Sequence, residues 1–114
     1  MKKILLVLLV FLFLCGCSNG NSVTKSSLDQ IIEEGNFIVL DVRTAEEYKE
    51  SHVVDSVNIP HTEINESITL DKTKTILVYC QSGGRSKIAK DLLEDLGYSV
   101  YDLGGYESVD MPKE

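Results

Sequence analysis

The chain has 114 residues and carries 18 acidic against 11 basic side chains, for a formal net charge of −7 at pH 7. That balance argues against a nucleic-acid partner, and it gives no electrostatic attraction to anionic lipid. Three cysteines are too few for a disulfide scaffold, so the fold rests on one apolar core in one small domain.

At the N-terminus, Lys2 and Lys3 precede an unbroken apolar run from Ile4 to Leu14. The run is too short to span a bilayer, which takes about 20 apolar residues, and fits the hydrophobic region of a signal peptide. It ends in Leu14-Cys15-Gly16-Cys17-Ser18, which resembles the lipobox of bacterial lipoproteins, although Cys15 stands where a smaller residue is more usual. The resemblance implies that residues 1–16 are a lipoprotein signal peptide and that Cys17 is acylated, with palmitate as a label. The expected location is extracytoplasmic, at a bacterial cell membrane, held through the lipid anchor only. Residues 17–26 are rich in Ser, Asn and Gly and read as a flexible tether to a domain over 27–114. With Cys15 removed and Cys17 acylated, Cys80 is the lone thiol of that domain. A single cysteine is often a buried structural one.

Ser27 and Gln30 predict a capping box for a short helix with Leu28, Ile31 and Ile32 on its apolar face, closed by Gly35. Phe37 to Val42 is an apolar run broken only by Asp41, as in a strand buried on both faces. Thr44 and Glu47 predict a second capping box, opening a charged helix to about Glu50. Val57 to Ile59 reads as a strand cut off by Pro60. The polar stretch 61–74 predicts one weak helical or turn element around Ile64 to Leu70.

The most informative stretch is Thr75 to Ser86, Thr-Ile-Leu-Val-Tyr-Cys-Gln-Ser-Gly-Gly-Arg-Ser. An apolar strand ends on Cys80, and a small-residue loop breaks into a helix beginning near Ser86. Ile88, Ala89, Leu92, Leu93 and Leu96 lie at helical spacing on one face, with Gly97 as the stop. A cysteine facing a helix N-terminus lies where unpaired N–H groups favour negative charge, and the thiolate is the nucleophile. Tyr98 to Tyr101 predicts the last strand, before Gly104-Gly105. Strands alternating with helices imply an α/β fold, a mainly parallel sheet with helices on both faces. Ligands of such sheets bind beyond the carboxyl ends of the strands, where both Cys80 and the Asp41/Arg43 pair fall.

From about Val23 onwards the chain resembles a single-domain rhodanese. The matching pieces are Leu40-Asp41-Val42-Arg43 with Glu46-Glu47-Tyr48, Ser51-His52-Val53 leading to Val57-Asn58-Ile59-Pro60, the Tyr79-Cys80-Gln81-Ser82-Gly83-Gly84-Arg85-Ser86 loop, and Leu103-Gly104-Gly105-Tyr106. Ser51 stands where the family usually has Gly, and Val109 where Trp is common. The resemblance implies a rhodanese-like α/β fold and a sulfurtransferase in which Cys80 carries a persulfide. It places Gln81, Ser82, Gly83, Gly84, Arg85 and Ser86 in the loop that binds substrate. The expected partners are small sulfur-containing anions such as thiosulfate and a thiol or cyanide acceptor. No cofactor is expected.

Four residues separate Cys80 from Arg85. Cysteine phosphatases of related architecture use one more, so this tighter loop suits a sulfur atom better than a tetrahedral phosphate. Asp41 and Arg43 fit a buried structural ion pair better than a catalytic acid and an anchor. His52 and His61 lack metal-ligand spacing, so no metal site is read. Arg85 fits two roles, holding an anionic donor or bracing the loop. The rival to an enzyme is a membrane-tethered rhodanese module that binds sulfide species or a partner without turnover. An intact Cys-x-x-Gly-x-Arg-Ser pattern favours the enzyme.

Overall fold

The computed structural model describes residues 26–114. The expected signal peptide, Cys17 and the tether as far as residue 25 lie outside the described residues. Four strands, β1 (Phe37–Asp41), β2 (Val57–Asn58), β3 (Thr75–Cys80) and β4 (Ser99–Gly105), form one wholly parallel sheet in the order β2-β1-β3-β4. Helices α1 (Ser27–Glu34), α2 (Ala45–Glu50) and α3 (Gly84–Asp95) alternate with them.

The two central strands divide their side chains between two cores by the period of two. Leu40, Ile76, Val78 and Cys80 face the side covered by Ala89 and Leu93 of α3. Val39, Leu77 and Tyr79 face the side covered by Leu28 and Ile31 of α1 and by Val109 and Met111 near the C-terminus. Burial on both faces explains the continuous apolar runs. Each fully buried Leu or Ile contributes about 1.5–3 kcal/mol. The chain's end closes the second core, with Val53 and Lys113 forming an antiparallel bridge.

Several expectations are corrected. The α1 cap is Ser26, not Ser27: Ser26 has extended backbone and its hydroxyl accepts from the Asp29 N–H at 3.2 Å, so Ser27 is already helical. Ile32 is 40% exposed and leaves the apolar face. Gly35 ends α1 at φ 74°, and the Thr44–Glu47 box forms as read. Helix α3 starts at Gly84, two residues before Ser86, and buries Ser86, Ala89 and Leu93. Ile88 and Leu92 are exposed, since each precedes a buried residue by one position, about 100° around the helix. The element expected around Ile64 to Leu70 is present as an Asn65–Ser67 turn, in which Asn65 Oδ1 accepts from the Ser67 N–H at 2.8 Å, and a 3-10 turn over His61–Glu63 precedes it. Strand β4 continues through Gly104-Gly105 because a bulge opposite Val78/Tyr79 absorbs Leu103.

Candidate active site

Strand β3 delivers Cys80 to the sheet's carboxyl edge, and only Gln81 to Gly83 link it to α3. Gly83, at φ 102°, takes the left-handed backbone that turns the chain so sharply. Its N–H comes back to donate to Cys80 Sγ at 2.9 Å. The sulfur belongs to a fully buried residue. Burial pushes the thiol up, but the Ser86 hydroxyl and the N–H groups of Ser86, Gly83 and Ser82 outweigh it and hold the thiol below its ordinary value. The Ser86 hydroxyl also lies 3.0 Å from the Gly83 carbonyl, so its one proton has two acceptors. A negative charge on the sulfur is stabilised by fixed donors at the start of a helix, and among the described residues no cation is bonded to it.

The bulge in β4 builds the wall behind this loop. Asp102 Oδ1 accepts from the Gly104 N–H at 2.8 Å, and Gly104 turns at φ 85°. Gly105 then packs so close that an added Cβ would meet the Gln81 carbonyl oxygen at 3.0 Å. The Tyr106 N–H donates to that same oxygen at 3.2 Å. A side chain at 105 would press on the cysteine loop, whose backbone would have to give by a few tenths of an ångström.

Arg85 braces the loop. Its Nη1 and Nη2 donate to Glu47 Oε1 and Oε2 at 2.8 and 3.1 Å, a two-pronged ion pair from α3 to α2. Glu47 also accepts from Thr44, and with Arg85 as the main cause its carboxyl falls to about 2. Arg85 is raised in turn, chiefly by Glu47.

Asp41 and Arg43 form the buried pair read from the sequence. Arg43 Nε and Nη2 donate to the Asp41 carboxylate at 2.6–3.0 Å, Nη2 also reaches the Ser51 carbonyl, and Nη1 donates to Gln81 Oε1 at 3.0 Å. The Tyr79 hydroxyl donates to Asp41 Oδ2 at 2.6 Å, and burial is the main reason its pKa is pushed up to about 12. The Arg43 guanidinium lies 4.6 Å from the Tyr106 ring centroid. Through Gln81 this knot reaches the first residue of the cysteine loop.

A cavity of ≈330 Å³ opens beside the loop, with Gln81, Ser51, Arg43 and Tyr106 in its lining. The larger cavity, ≈570 Å³, lies elsewhere, among Phe37, Val39, Val53, Val57 and Met111, and holds no nucleophile. Gln81 is the cysteine-loop residue in the lining of the smaller one. Of the expected loop residues, Gly83 and Ser86 contact the sulfur, Ser82 contributes its N–H, Gln81 faces the cavity, and Arg85 is turned to Glu47. Gly84 has open space where a Cβ would stand. Sequence reasoning missed Glu47 as the partner of Arg85. Glu47 is fully accounted for as a capping residue, and a pair 38 positions apart leaves no local signal.

A fully parallel βα sheet with a thiolate-stabilising loop at its carboxyl edge is the frame of an α/β domain with a cysteine site, and the chain belongs to the Rhodanese-like domain family, whose pattern matches residues 24–111. It is similar to thiosulfate sulfurtransferase PspE of Escherichia coli strain K12, 41% identical over 78 residues that cover 65% of this chain and 75% of that protein. It is also similar to thiosulfate sulfurtransferase GlpE of Coxiella burnetii, 32% identical over 82 residues that cover 69% and 77% of the two chains. A solved structure of a rhodanese with anions from E. coli superposes with a TM-score of 0.63 at 36% identity, covering 68% of this chain and 96% of that one.

Proposed function

We propose that this protein is a sulfurtransferase that carries sulfur as a persulfide on Cys80. The Cys80 thiolate attacks the outer sulfur of a donor such as thiosulfate. The donor's S–S bond breaks and its electron pair leaves with sulfite. A nucleophilic acceptor, cyanide or a thiolate, then attacks the outer sulfur of Cys80–S–S⁻ and restores the thiolate. Both steps balance without an external oxidant or reductant. The N–H groups of Ser82, Gly83 and Ser86 would stabilise the charge in each state, and Gln81 to Ser86 form the substrate-binding loop. The observation that carries this reading is the buried Cys80 sulfur accepting the Gly83 N–H at 2.9 Å and held low by the loop. The activity named for the two relatives supports it.

A thiosulfate–cyanide assay on the wild-type chain and on Cys80→Ser tests it. Turnover in the wild type and background in the variant are expected. Equal transfer by both would overturn the role of Cys80, and no turnover by either would favour the non-catalytic binding module.

We also propose that residues 1–16 are removed, that Cys17 is acylated, and that residues 17–26 tether the 27–114 domain to the extracytoplasmic face of a bacterial cell membrane. The Leu14–Ser18 pattern supports this. Palmitate labelling should vanish in Cys17→Ser, and labelling that survives contradicts it.

A further inference from the structure

Arg85 stands where its own helix disfavours it. It is the second residue of α3, whose first turn carries no acidic side chain, and a cation at a helix N-terminus opposes the macrodipole. The next residue is Ser86, whose hydroxyl and N–H hold the Cys80 thiol, and the charges of Arg85 and of a Cys80 thiolate attract each other. Glu47 answers the arginine. Its two carboxylate oxygens take both Nη1 and Nη2, at 2.8 and 3.1 Å, from 38 positions away in the chain. The Thr44 N–H and hydroxyl fix the same carboxylate from its own helix, at 3.0 and 3.2 Å. A guanidinium gripped by two arms in one plane has little freedom to swing towards a ligand. Arg43 is equally committed, to Asp41, the Ser51 carbonyl and Gln81. Both guanidinium groups beside the loop thus have fixed partners.

We infer that Glu47 is a positioning residue for sulfur transfer. By holding both arms of Arg85 it restrains the pull of that cation on the sulfur site, and so sets the preference between donors of different charge. The inference rests on the reading of Cys80 as the sulfur carrier. Thiosulfate brings two negative charges, and methanethiosulfonate, with the same outer sulfur, brings one. In both, the Cys80 thiolate attacks the outer sulfur and the donor's S–S bond breaks. The electron pair leaves with sulfite from the first and with methanesulfinate from the second, and Cys80–S–S⁻ remains. A carboxylate that offsets Arg85 disfavours the dianion more than the monoanion.

The test compares the full wild-type chain with Glu47→Gln, Arg85→Ala and the double variant. Gln at 47 still accepts from the Thr44 N–H, so the capping box survives while the charge goes. The first readout is kcat/KM for thiosulfate over that for methanethiosulfonate, with cyanide as acceptor. The second is the rate of iodoacetate over that of iodoacetamide at Cys80, followed by mass spectrometry of its peptide. In that ratio the thiolate fraction cancels and the local charge remains. At low salt both ratios should rise about threefold or more in Glu47→Gln. They should fall below wild type in Arg85→Ala and return near wild type in the double variant. Glu50→Gln removes an exposed charge from the same helix and should move them by less than about 1.5-fold. Unchanged ratios in Glu47→Gln, a double variant as high as Glu47→Gln, or an equal rise in Glu50→Gln would each overturn the inference. A wild type that takes sulfur from neither donor would instead strike the reading of Cys80 as the carrier, and the alkylation ratio would still decide the role of Glu47.

Discussion

The ends of the neighbouring strands β3 and β1 hold their acidic groups in opposite ways. Asp41 is enclosed by a guanidinium, a phenol and a backbone N–H, and among the described residues no buried side-chain polar atom is left without a partner. Cys80, next along the sheet edge, is held mostly by the N–H groups of its own loop, and among the described residues no cation is hydrogen-bonded to it, although Arg85 acts on it electrostatically. A charge matched by a fixed counter-charge is inert and structural. A thiol held by backbone dipoles and one hydroxyl has its anion favoured without a counter-charge bonded to it. The first arrangement locks the sheet edge, and the second holds on it a thiol whose pKa is lowered.

Breaking the first should cost most. Asp41→Ala strands Arg43 in the interior and should destabilise the domain by about 3–5 kcal/mol, read as a lowered denaturant midpoint. Unchanged stability would show the knot is not structural. Next comes the wall of the second. Gly105→Ala presses a methyl against the Gln81 carbonyl, so sulfur transfer should fall by about tenfold or more, with about 1–3 kcal/mol lost from stability. Wild-type turnover in that variant would mean the loop shifts without consequence.

Ser86→Ala sharpens the comparison, since it removes one donor and leaves the N–H groups. The pH midpoint of Cys80 alkylation should rise by on the order of one pH unit while the fold persists. An unmoved midpoint would leave the backbone as the whole source of the low value. Smallest is Arg85→Ala, which loses the brace to Glu47 for about 1 kcal/mol and reduces activity without abolishing it. The pair also has an acid limb. Because the folded Glu47 carboxyl lies near 2, below its usual 4.5, the pair's stabilisation is full above about pH 4.5 and disappears as pH falls towards 2. Arg85→Ala should flatten that part of the stability–pH curve, and an unaltered curve would deny the pair its role.

Much of the fold was legible because its signals are local. The apolar runs at Phe37 and Ile76, the Thr44–Glu47 box and the glycine stop at Gly35 each act within a few residues. What stayed hidden depends on tertiary packing. Ile88 and Leu92 are as apolar as Leu93, and only the sheet's position decides which of them is covered. Ser26 and Ser27 are equivalent candidates for a cap until the backbone chooses between them. At the site, the chain shows Cys80 and its loop plainly. It does not show that Arg85 turns to Glu47, or that Gly105 is the loop's wall, because both contacts join distant segments.

The central claim is that one sulfur atom rides on Cys80. Intact mass of the full chain, measured before and after thiosulfate and again after cyanide, tests it most directly. The wild type should gain one sulfur atom and lose it to cyanide, and Cys80→Ser should gain none. A wild-type chain that gains no sulfur, or a Cys80→Ser chain that gains it, would contradict the account.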